Sequence, residues 1–149
     1  MIQRIQSLWL LIASLLSALL MIDWYTGYVY KADVPHGLGA IVTPLRITDH
    51  FPSLLIAVVM IALPLVSIFF FKNRKRQRSL SWLALLTSVA FIAVSLMRIE
   101  DFKNAAPMPR NGSYQPGIVV PVVVMVFLFM AINGIKKDER LVKSMDRLR

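Results

Sequence analysis

The residues with the greatest capacity for chemistry are cationic. Lys72, Arg74, Lys75, Arg76 and Arg78 place five positive charges in seven residues with no acid among them, and Lys136, Lys137, Arg140, Lys143, Arg147 and Arg149 form a second basic set at the end of the chain. Clustered ammonium and guanidinium groups attract phosphate and carboxylate oxygens, whether on a lipid headgroup, a nucleic-acid backbone or an acidic protein face. Other combinations offer less. His36 and His50 stand near Asp33 and Asp49, the right residue types for a metal but without the tight ligand spacing of one, so they read as solvated loop residues. There is no cysteine, which excludes disulfides and thiolate chemistry. Serines inside the apolar runs have no base beside them, and Gly37-Leu38-Gly39 is too short and badly placed for a phosphate loop. The sequence thus designates no catalytic, cofactor-binding or metal-ligating residue, and the expectation is a protein that is not an enzyme.

The elements that carry these charges are apolar. Of 149 residues 57% are hydrophobic, at a mean hydropathy of +0.64, too apolar for an ordinary soluble domain of this length. The formal charge of +9 suggests a nucleic-acid binder until its placement is considered: the charges sit at the ends of apolar runs, where they orient a protein in a bilayer. The expectation is an all-α membrane protein, a single domain over residues 1–149, with four transmembrane helices at about 7–25, 51–71, 79–98 and 117–135. Outer loops would cover 26–50 and 99–116, a cytoplasmic loop 72–78 and a cytoplasmic tail 136–149. Twelve Lys and Arg fall on the side of the basic loop and five on the other, so the positive-inside rule places both termini in the cytoplasm. Arg4 ahead of Leu8 to Ile22 resembles the start of a signal peptide, but no small-residue cleavage site follows, and the run reads as a retained helix.

Between these runs the patterns change. Tyr25 to Lys31 and Ile41 to Ile47 are β-prone and flank a breaker cluster from Asp33 to Gly39, which predicts a small β-rich extracytoplasmic cap with Pro44 on an edge strand. Pro64 removes a backbone donor from the second span and bends it, as a static feature or as a hinge. Arg98, the deepest charge, either snorkels to the interface or forms a structural ion pair with Asp23. Asn111-Gly112-Ser113 matches a glycosylation acceptor. Leu141, Val142, Met145 and Leu148 share one helical face, so the tail reads as a short amphipathic helix, lying on anionic lipid or continuing the fourth span.

Met1 to Leu10, Lys72 to Gln77, Gly112 to Gly117 and Lys137 to Arg149 together resemble a family of small four-helix inner-membrane proteins of Bacteroidota, classed as a domain of unknown function. That resemblance implies four spans and a bacterial inner membrane, and carries over no catalytic or binding residue. If the family keeps such polar ends, positive charge alone is too weak an explanation for Asp138-Glu139, and docking to a specific cytoplasmic partner gains weight.

The leading functional expectation is a non-enzymatic accessory or scaffold subunit of a larger inner-membrane complex, with other membrane proteins and anionic lipids as partners and no cofactor. The contacts would be Lys72, Arg74, Lys75, Arg76, Arg78, Lys136, Lys137, Arg140, Lys143, Arg147 and Arg149. A small-molecule or lipid transporter or sensor is the alternative, and contact with RNA or a ribosome through Lys72 to Arg78 a third reading.

Overall fold

The computed structural model describes residues 2–22, 27–37, 39–71, 73–105 and 107–146. Its elements in chain order are α1 (Ile2–Ala18), which tightens into a 3-10 turn at Leu19–Met21, β1 (Tyr28–His36), β2 (Gly39–Arg46), α2 (Phe51–Phe69), α3 (Arg74–Asn104), β3 (Arg110–Tyr114), a 3-10 turn at Pro116–Ile118 and α4 (Val120–Asp146). The helices form a ring in which α1 touches α2 and α4, and α3 touches α2 and α4.

The helices α2 and α3 each bury one seam at steps of three and four residues. On α3 the buried positions are Gln77, Ser81, Ala84, Ser88, Phe91, Ser95 and Ile99, and on α2 they are Ser53, Ala57, Met60, Pro64 and Ser67. Seven residues per two turns keeps a seam facing its neighbour along nearly parallel helices. Serine and alanine in these seams let backbones approach closely. The outward faces carry the large apolar residues: Leu8, Leu11 and Leu15 on α1, Leu55 and Val58 on α2, Leu83, Leu86 and Val89 on α3, Val122, Val126 and Phe129 on α4. Serines lie among apolar neighbours inside, and large aliphatic groups cover the outer faces, where a water-soluble bundle would be polar; this suits a lipid surround.

Buried hydroxyls bond backbone carbonyls of their own or a neighbouring helix. Ser17 donates to the Ala13 carbonyl, Ser81 to Gln77 and Ser88 to Ala84, while Ser67 reaches from α2 to the Gln77 carbonyl of α3 at 3.2 Å. Pro64 lacks the N–H that would bond the carbonyl four residues earlier, and its ring crowds that turn. In the same turn the hydroxyl of Ser14 on α1 donates to the Ile61 carbonyl at 3.1 Å, so the turn that Pro64 interrupts is fastened to a neighbouring helix.

The expected all-α, four-span bundle is corrected on three counts. The sheet is a full part of the fold: three antiparallel strands in the order β2-β1-β3 make the chain α+β. Its third strand comes from the segment 99–116 that the sequence presents as a loop. Four spans are not supported either. Among the described residues three helical stretches, Phe51–Phe69, Arg74–Asn104 and Pro116–Val142, are long and apolar enough to cross a membrane, and Ile5–Met21 is shorter. The short amphipathic C-terminal helix does not exist as a separate element, because α4 runs unbroken to Asp146.

The sheet is assembled from two distant connections. β1 and β2 form a hairpin closing between His36 and Gly39, with Gly37 at φ +58°, the left-handed region that glycine enters freely. β3, from the α3–α4 connection, pairs with the other edge of β1 through Tyr30, Lys31 and Asp33. Tyr30 is the anchor: buried, its ring packs edge-on against Phe102 and Tyr114, with the Lys103 ammonium 5.2 Å from its centre. The hydroxyl of Tyr30 lies over Gly112, where a Cβ would stand 1.6 Å from it.

Candidate functional site: the basic end of the helices

The basic stretch Lys72 to Arg78 is mostly helix. Asn73 caps α3, its side-chain oxygen accepting from the Arg76 N–H at 3.3 Å, so Arg74, Lys75, Arg76 and Arg78 occupy the first turns. No acid lies in that first turn, and cations there oppose the positive end of the helix dipole. The compensation comes from α4. Arg74 Nε meets Asp138 Oδ2 at 3.0 Å and Arg78 Nη1 meets Glu139 Oε2 at 2.7 Å. Both carboxylates are mostly withdrawn from solvent, and two successive pairs clamp the extension of α4 against the start of α3.

The remaining described cations of this end are left over. Lys75, Arg76, Lys137 and Arg140 are exposed, and the Lys136 ammonium sits 5.7 Å from the centre of the Trp82 ring, a cation–π contact. Lys136, Lys137 and Arg140 line an open groove with Asn133 and Leu141 of about 620 Å³. Of the sequence-designated contacts, the structure brings Arg74, Arg78, Lys136, Lys137 and Arg140 to one surface and sets Lys75 and Arg76 on the neighbouring face of α3, beside Phe70 and Leu80. Lys72, Arg147, Arg149 and the side chain of Lys143 lie outside the described residues. Sequence reasoning missed the structural duty of Asp138 and Glu139; the signal to be found was a helix start made entirely of cations, which requires acids from elsewhere.

At the opposite end His36 and Asp49 are exposed, whereas His50, expected as a solvated loop residue, is structural. His50 is the N-cap of α2, its Nδ1 accepting from the Ser53 N–H and lying 2.8 Å from the Ser53 hydroxyl. Among the described residues, no group of three or more His, Asp and Glu side chains is placed to hold a metal. Arg98 donates to the Arg46 carbonyl at the end of β2, bracing the sheet against α3, while Asp23, its expected partner, lies outside the described residues. Lys103 donates to the Tyr114 hydroxyl at 3.2 Å. Asn111 donates through its side chain to Asp33 at 3.2 Å from within β3.

The fold therefore defines a class: among the described residues, three helices long and apolar enough to cross a membrane, packed with a shorter apolar helix, with a three-stranded sheet at one end and an ion-paired basic surface at the other. Within that class, the chain belongs to the family described as Domain of unknown function (DUF4293), whose model matches residues 2–148. No curated protein and no solved structure matches it.

Proposed function

We propose that this chain is a non-enzymatic accessory subunit of a larger complex in a bacterial inner membrane, with its basic end in the cytoplasm and docked there on an acidic surface of a partner protein. The observation that carries the reading is the double ion pair. Segments 74–78 and 136–140 hold seven basic and two acidic residues, and both acids are spent on fixing α4 to α3. What remains is a cationic surface on a backbone that the two pairs hold in place, so binding requires little further ordering of the helices. The excess of Lys and Arg at this end supports the cytoplasmic orientation.

The test is the mass and composition of a tagged copy extracted gently from its native membrane, beside a Lys75→Gln/Arg76→Gln/Lys137→Gln variant, which leaves both ion pairs intact. A defined partner recovered in fixed ratio and lost in the variant is the expected result. A chain that runs alone at its own mass overturns the proposal.

A further inference from the structure

Two cavities of opposite character lie along α3 and α4, and the contact of Lys136 with Trp82 links them. One, about 490 Å³, is walled by Trp82, Leu85, Val122, Val126, Phe129 and Met130, with almost no polar surface. Val122 to Met130 covers about 12 Å of helix at 1.5 Å per residue, most of the roughly 15 Å of hydrocarbon in one leaflet. Trp82 ends this cavity at the start of α3, and beyond its ring stands Lys136. Lys136 in turn shares a polar groove of about 260 Å³ with Arg78, Glu139 and Arg140. The Glu139 carboxylate is matched by Arg78 at 2.7 Å, so the surplus positive charge of the groove belongs to Lys136 and Arg140.

An apolar slot of leaflet depth, an indole at its mouth and two cations above it together fit an amphiphile with an anionic head. We propose that the two cavities form a binding site for one anionic phospholipid, with an acyl chain along Val122 to Met130 and the phosphate between Lys136 and Arg140. A soluble phosphate would use the cations and leave the slot empty. A zwitterionic lipid would fill the slot but bring its own cation toward Lys136. The site needs no protein partner, so its fate is separate from that of the docking surface.

Native mass spectrometry of the full chain in detergent, titrated with phosphatidylglycerol or phosphatidylcholine of the same acyl chains, reads this directly. Phosphatidylglycerol is expected to be retained at roughly tenfold lower concentration, given two cations within reach. Lys136→Gln/Arg140→Gln should erase that preference, and Val126→Trp, which fills the slot from an exposed position, should reduce retention of both lipids. Lys31→Gln/Arg110→Gln removes the same charge at the sheet end and should change neither. Equal retention of the two lipids by the unaltered chain overturns the site. So does displacement of phosphatidylglycerol by excess inorganic phosphate, or an equal loss from the sheet-end variant. Should the double variant fail to fold, the lipid preference of the unaltered chain and the effect of Val126→Trp decide the matter.

Discussion

Gly112 has no side chain because Tyr30 occupies the space. Adding one methyl there sets a Cβ 1.6 Å from the Tyr30 hydroxyl and 2.4 Å from the ring carbon that bears it. That ring is buried against Phe102 and Tyr114, so it has nowhere to retreat. Gly112→Ala is therefore expected to lower stability by about 1–3 kcal/mol, the range for overpacking a closed site, seen as a lower thermal midpoint in detergent. Gly39→Ala, which meets nothing within 4 Å, should change it far less. Asn111-Gly112-Ser113 read as a short acceptor pattern in the sequence; its glycine answers to a tyrosine some eighty positions earlier, a relation no local pattern contains.

Among the elements, α3 shows most plainly what the sequence reveals. Its apolar stretch is legible because burial in lipid demands a long run without charge, yet both of its ends extend beyond that run. The N-terminal turns are built from the cations that look like a loop, and the C-terminal turns carry Glu100, Asp101 and Lys103 past the expected end at 98 so that Phe102 reaches Tyr30 of the sheet. β3 is harder to see: five residues, all exposed, without apolar alternation, held by pairing to a distant strand. The ion pairs on Asp138 and Glu139 join residues more than sixty apart and need the helix ring to be known first. The seam of α3 yields a prediction of its own. Ser88 is fully buried and Leu86, on the outer face, is 59% exposed. Ser88→Leu should destabilise by about 1–3 kcal/mol through overpacking, whereas Leu86→Ala should stay within about 1 kcal/mol, because lipid tails fill the space that the shortened side chain leaves. Unfolding in mixed micelles by a denaturing detergent compares the two.

For the whole molecule, the sheet and the basic surface lie at opposite ends of the helices. The starts of α2 and α4 and the ends of α1 and α3 meet the sheet, and the α2–α3 connection and the extension of α4 meet at the cations. With no native cysteine, single cysteines report sidedness without background. Lys75→Cys and Val42→Cys should react with a membrane-impermeant thiol reagent from opposite faces of sealed vesicles, Lys75→Cys from the cytoplasmic one. Labelling of both from the same face would contradict the arrangement of helices across a membrane.

The division of the sheet between two connections also sets an order of events during synthesis. Once β2 has emerged, β1 has a partner on one edge only; its other edge waits for β3, nearly seventy residues later in the chain. At about 5–20 residues per second the ribosome takes several seconds to supply it. Throughout that interval the hairpin stands with an open edge, and Tyr30 lacks both Phe102 and the glycine strand that will cover it. Only when α3 has been threaded and its far connection delivered to the correct side can the edge close. The sheet is thus a latch that only the later half of the chain can close.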